Sequence, residues 1–190
     1  MTSDNRYFFV LTGGPGSGKS TLLAALAVQG FKVAPEAGRA IIRQQQRIGG
    51  PALPWQDRTA FAEAMLAFDI RSYEEMVGAA GPVLFDRGVP DVAGYLALCG
   101  LPVPEHVARA CALYRYNRLV FVTPPWRAIY TTDGERRQGW EEAVRTHAAM
   151  VETYGRLGYR IVELQRASVA QRASFVLERM RAVLGAEGGG

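Results

Sequence analysis

At 190 residues, 48% of them hydrophobic and 21% charged, the chain suits one compact globular domain able to cover both faces of a sheet. Net charge is +4, and of the 22 basic residues only Lys19 and Lys32 are lysine. The arginines suit bidentate contact with anionic groups but are spread along the chain, which argues against nucleic acid as a partner. Cys99 and Cys111 have neither metal-ligand spacing nor disulfide density, residues 1–6 lack a signal-peptide pattern, and no apolar run approaches the ~20 residues of a membrane span. The expected location is the cytoplasm.

In chain order, Tyr7–Thr12 predicts a β-strand, followed at once by a glycine-rich loop. Ser20–Gln29 predicts a helix with Leu22, Leu23 and Leu26 on one side and Gly30 as its C-terminal glycine. Phe31–Ala34 reads as a second, short strand, and Gly38–Arg47 as a helix ended by Gly49, Gly50 and Pro51. Trp55–Val77 is a long helical stretch in which Phe61, Met65, Phe68, Ser72, Tyr73 and Met76 recur at helical spacing. Val83–Phe85 is a continuous apolar run ending in Asp86, as a buried parallel strand should. Helices over Asp91–Leu98 and Pro104–Tyr114 precede a fourth strand, Leu119–Val122, stopped by Pro124 and Pro125. Gly139–Leu157 predicts a helix whose stripe is Trp140, Val144, His147, Val151 and Tyr154. Tyr159–Leu164 is the fifth strand, and Ser168–Leu184 the last helix, opened by a capping box of Ser168 and Gln171. This alternation predicts an α/β three-layer sandwich around a mainly parallel five-stranded sheet. Residues 1–184 are expected to form one domain and 185–190 a flexible tail.

The loop Gly13-Gly14-Pro15-Gly16-Ser17-Gly18-Lys19-Ser20, followed by Thr21, matches the phosphate-binding pattern G-x-x-x-x-G-K-[ST] at every fixed position. The glycines let the backbone turn tightly so that N–H groups face phosphate oxygens, and the next helix offers its positive end to the same anion. Lys19 is expected to reach the β- and γ-phosphates of ATP or GTP, and the Ser20 hydroxyl to ligate Mg²⁺. An apolar strand before the motif and a helix after it give it the context it needs. The base preference of the nucleotide is not readable.

Asp86 ends the third strand, where ligands bind in open α/β sheets and where a carboxylate can hold Mg²⁺ directly or through water. Its neighbour is Arg87, not the water-activating glutamate of motor ATPases, and an Asp-Arg pair resembles the sites of nucleoside and nucleotide kinases. No Asn-Lys-x-Asp guanine-reading motif occurs. Glu36 and Arg39, three apart at a helix start, either hold an acceptor hydroxyl and anion or form a surface ion pair. Tyr130-Thr131-Thr132-Asp133-Gly134-Glu135-Arg136-Arg137 lies where kinases of this kind carry a lid, with Arg136 and then Arg137 as candidates to stabilise the transferring phosphoryl group. A solvated charge run is the other reading of this segment. His147 reads as a half-buried structural histidine, and Trp126 as core or lid-hinge packing.

Several segments together resemble a family of small bacterial P-loop proteins labelled AAA-type ATPases, although features of ring motors are missing. The carrying residues are Thr12–Thr21, Glu36-Ala37-Gly38-Arg39, Phe85–Asp91, Pro125-Trp126, Tyr130–Arg136, Tyr154–Tyr159 and Ser168-Val169. The pattern is also similar to the kinase module of ribosylnicotinamide kinases, which pair an early Glu…Arg with a late Asp-Gly-x-Arg. That resemblance implies a P-loop kinase-like fold with strand order 2-3-1-4-5 and phosphoryl transfer to a small molecule. On this reading Lys19, Ser20 and the loop amides hold the donor, and Asp86 organises Mg²⁺ or acts as base, a role Glu36 shares as a candidate. Arg136 closes from the lid, while Glu36, Arg39, Arg87 and Arg137 present a hydroxyl acceptor that is small and nucleoside-like. The alternatives are a nucleotide-dependent binding module with a lipid or protein partner, and a simple NTP hydrolase. The acceptor, the oligomeric state and the choice between ATP and GTP are left open.

Overall fold

The computed structural model describes residues 4–130 and 139–186. Five strands, β1 (Phe8–Gly13), β2 (Lys32–Ala34), β3 (Val83–Asp86), β4 (Leu119–Thr123) and β5 (Arg160–Glu163), pair in the order β2-β3-β1-β4-β5. Every pairing is parallel, with Leu11 beside Asp86 on one flank of β1 and Gly13 beside Thr123 on the other. The helices are α1 (Lys19–Val28), α2 (Ala37–Ile48), α3 (Arg58–Met76), α4 (Val89–Leu98), α5 (Glu105–Leu113), α6 (Trp140–Arg156) and α7 (Val169–Ala186). This is the expected three-layer sandwich in the expected strand order.

The three central strands are apolar on both faces because helices cover both. Phe8, Val10, Val83, Phe85, Val120 and Val122 face one core, which α3, α4, α5 and Tyr154 of α6 complete. Phe9, Leu11, Leu84, Leu119 and Phe121 face the other, closed by Leu22, Leu23 and Leu26 of α1 and by Val176, Leu177 and Met180 of α7. The side chain alternates with the strand period of two, so one residue of slip would exchange the two cores. A third cluster ties Ile41 and Ile42 of α2 to Leu53 and Phe61.

Most boundaries fall within two residues of expectation, and three differences have clear causes. The long helix starts at Arg58, not Trp55, because the Asp57 side chain caps it by accepting from the Ala60 N–H at 2.9 Å. The fourth helix begins at Val89, two residues before Asp91, since Asp91 accepts the Gly88 N–H at 3.1 Å and so caps the first turn from within. The buried face of α6 is Ala143, Thr146, Met150 and Tyr154, whereas Val144 of the expected stripe is 40% exposed. The cause is close approach to the phosphate loop, where a Cβ at Gly14 would overlap the Ala143 carbonyl oxygen. The capping box of α7 is present: the Gln171 N–H donates to Ser168 Oγ at 3.3 Å, and the Ser168 N–H to Gln171 Oε1 at 3.1 Å. α7 itself continues to Ala186, two residues past the expected end.

Candidate functional site

The carboxyl ends of β1, β3 and β4 bring Gly13, Asp86 and Thr123 to one edge of the sheet, and the phosphate loop spans it. Gly13, Gly16 and Gly18 all have positive φ, at 132°, 67° and 80°, which is why glycine occupies them. Gly18 is the left-handed N-cap of α1. The loop is fastened by hydroxyls: Ser17 Oγ donates to the Gly14 carbonyl at 2.7 Å and lies 2.7 Å from Thr123 Oγ1, which donates in turn to the Thr12 carbonyl at 3.1 Å. Lys19 Nζ folds over the loop onto the carbonyls of Gly14 (3.0 Å) and Gly13 (3.4 Å).

Ser20 and Asp86 line one cavity together with Glu36, Arg39 and Arg43. A hydroxyl and a carboxylate on one cavity wall, beside an N–H-lined loop, are the hard oxygen donors that suit Mg²⁺ and a phosphate chain. The residues present therefore fit a magnesium nucleotide.

A second pocket, of about 260 Å³, adjoins it. Pro15 of the phosphate loop, Glu36 and Arg87 stand at its polar part, and Trp55, Phe61, Met65 and Tyr95 are among its apolar walls. Glu36 borders both cavities. It is no surface residue: 9% exposed, it pairs with Arg39 Nε at 3.3 Å and accepts from Arg87 Nε at 3.1 Å.

Arg87 is the centre of this network. Its φ is 71°, an uncommon conformation for a side-chain-bearing residue, and it is held from several directions. Nε donates to Glu36, Nη1 to Asp91 Oδ1 at 2.8 Å, and Nη2 to the Gly13 carbonyl at 2.9 Å. Burial alone would depress its pKa, but Glu36, Asp91 and Asp86 outweigh that and hold it above its ordinary value. Asp91 in turn accepts from Thr12 Oγ1 at 2.6 Å and from the Tyr154 hydroxyl at 2.7 Å. One buried ion cluster thus ties β1, the end of β3, α4, α6 and the start of α2 to the phosphate loop.

A sequence model of the family described as an AAA domain matches residues 8–172, most of the chain. The chain belongs to the AAA domain family. Among curated proteins no sequence relative matches it. Its fold is similar to solved structures, kinases among them. NadR protein in complex with NR superposes with a TM-score of 0.69 at 16% identity, over 93% of this chain and 50% of that one. Deoxyadenosine kinase from M. mycoides with bound dATP gives 0.60 at 12% identity, over 92% of this chain and 99% of the other. Thymidylate kinase from Ehrlichia chaffeensis gives 0.60 at 15% identity, over 91% and 97%. This AAA domain therefore has a P-loop kinase-like fold.

Within it, Gly13, Gly14, Pro15, Gly16, Ser17, Gly18, Lys19, Ser20, Thr21, Glu36, Arg39, Asp86 and Arg87 are gathered at one end of the sheet, while Arg136 and Arg137 lie outside the described residues. Sequence reasoning gave no role to Thr12, Asp91, Thr123 and Tyr154, or to Asp69 and Arg172. The Arg172 guanidinium contacts the Ser17 carbonyl at 3.3 Å and sits 5.6 Å from the centre of the Trp126 ring. Spacing was one available signal: Arg87 and Asp91 are four apart across a helix start. Half-buried His147 has its Nε2 3.0 Å from Glu163 Oε2 of β5. No described helix is long and apolar enough to cross a membrane.

Proposed function

We propose that this AAA domain is a magnesium-dependent phosphotransferase that moves the γ-phosphoryl group of ATP or GTP to a hydroxyl of a small acceptor in the cytoplasm. The observation that carries this reading is the position of Glu36, buried between the cavity of Ser20 and Asp86 and the 260 Å³ pocket. A hydrolase needs a place for water beside the phosphate loop. The 260 Å³ pocket, walled mostly by apolar side chains, suits an organic acceptor instead.

In the proposed reaction the bond from the γ-phosphorus to the bridging oxygen breaks, and a new bond forms to the acceptor oxygen. The hydroxyl proton passes to a carboxylate, Glu36 or Asp86. Ser20 and Asp86 would hold the Mg²⁺, which neutralises charge on the phosphates. Lys19 leaves the loop carbonyls for the phosphate oxygens. Arg87 fixes Glu36 in place by a charge-assisted hydrogen bond, and Arg39 offers an anion site at its edge. Arg136, with Arg137 behind it, would close over the transferring group. Such chemistry is mostly positioning and electrostatics.

Radiolabelled γ-phosphoryl transfer to a panel of nucleosides, sugars, aminoglycosides and vitamins tests the reading. Asp86→Asn is expected to lower turnover on the order of 100-fold or more while nucleotide affinity changes far less. Equal losses in both, or hydrolysis that no acceptor diverts, would sink it. Affinity for a lipid or protein partner that follows nucleotide state, without transfer, would establish a binding module in its place.

A further inference from the structure

Asp69 lies in the middle of α3, on the wall of the 260 Å³ pocket, and is only 6% exposed. Its carboxyl takes part in none of the hydrogen bonds or ion pairs among the described residues. The charged groups facing it are Glu36, Asp86, Arg87 and Asp91. Arg87 is the cation among them, and its three nitrogens donate to Glu36, Asp91 and Gly13. Burial, then the Asp91 charge, push the Asp69 carboxyl well above the usual carboxylate range.

A carboxyl kept neutral presents an O–H donor beside a C=O acceptor in one plane. Its natural complement is an acceptor beside a donor, which is the edge of an amide or amidine. The pocket's aromatic walls, Phe61 and Tyr95 with rings 5.4 Å apart edge to face, suit a flat ring carrying such an edge. We propose that Asp69 is a specificity-determining residue that reads this edge, so that the hydroxyl acceptor carries a planar heterocycle with an amide- or amidine-like edge. The inference rests on the phosphotransferase reading for the identity of the pocket as an acceptor site.

The test is equilibrium binding of matched nucleosides to the full chain: adenosine against purine riboside, and uridine against 3-methyluridine. The first of each pair has the donor–acceptor edge and the second lacks its donor. Wild type is expected to favour an edge-bearing member by about 10- to 100-fold, the size of a buried hydrogen-bonded pair. Asp69→Leu, or Asp69→Ala if the leucine variant shows no cooperative unfolding, is expected to reduce that preference to within about threefold while the thermal shift given by nucleotide stays. Asp69→Asn, which still offers a donor beside an acceptor, keeps most of it. The inference is overturned if wild type binds neither kind, if it shows no preference, or if the leucine and alanine variants keep it. Asp69-dependent binding of cationic aminoglycosides would also overturn it, since Asp69 would then be a counter-charge. An Asp69-dependent preference without phosphoryl transfer would support the role of Asp69 and sink the phosphotransferase reading instead.

Discussion

The residues that matter most to the site are charged groups taken out of water, and each has a stability signature of its own. Asp69 is buried and has no ion-pair partner among the described residues, so its ionised form is disfavoured in the native state and its pKa is raised on folding. Below about pH 4 both states bind the proton and the group is neutral to stability. As pH rises through the interval from the unfolded to the folded pKa, the native state holds the extra proton and stability falls, by at most about 1.4 kcal/mol per pH unit. Asp69→Asn should therefore stabilise the protein above pH 6 and gain little near pH 4, as urea midpoints across that range would show. An equal gain at both ends would mean that the carboxyl is not desolvated. Asp91 differs in that its charge is paired with Arg87. Removing it in Asp91→Ala takes from buried Arg87 one of its two ion-pair carboxylates and orphans the Thr12 and Tyr154 hydroxyls. The expected loss is about 3–5 kcal/mol of unfolding free energy, against about 1 kcal/mol for an exposed pair such as Arg71 with Glu75. Neither residue's role was legible in the sequence. Periodicity reports which face of a helix is apolar, and an aspartate on a buried face is visible only once the neighbouring elements are in place.

At the scale of elements, the three central strands were legible because both of their faces are buried, which writes continuous apolar runs such as Val83-Leu84-Phe85. The phosphate loop was legible because positive φ at Gly13, Gly16 and Gly18 restricts those positions to glycine. The face of α6 was not, because that helix packs by closeness and not by bulk. Small Ala143 and polar Thr146 are buried, and Val144 points outward. Gly14 and Ala143 fix this approach backbone to backbone. Gly14→Ala should force α6 and the loop apart and destabilise the fold by about 1–3 kcal/mol, a cost typical of overpacking. It should also weaken nucleotide binding, since the same movement displaces Ser17 and its anchor Thr123. Thermal unfolding and nucleotide titration of the one variant separate these effects. Destabilisation with unchanged nucleotide affinity would show that the loop holds its shape without α6.

For the molecule as a whole, strand order places the loop where elements from both cores meet. α1 and α7 complete one core, α3, α4 and α5 the other, and the Arg87–Asp91 cluster joins the loop to the second. A nucleotide bound on this edge contacts groups that exist together only in the folded state, so it should stabilise the whole domain by mass action. At one hundred times its Kd the gain is about 2.7 kcal/mol, and for a chain of this length each kcal/mol moves Tm by about 2–4 °C. A rise of about 5–10 °C with ATP or GTP and Mg²⁺ is the expectation. If Ser20 and Asp86 hold the metal, Ser20→Ala and Asp86→Asn should shrink the part of that rise that EDTA removes and leave the metal-independent part. Lys19→Ala should diminish both, because Lys19 serves the phosphates whether or not Mg²⁺ is present. A full rise in Lys19→Ala would place the nucleotide away from the loop and undo the assignment of the site at its root.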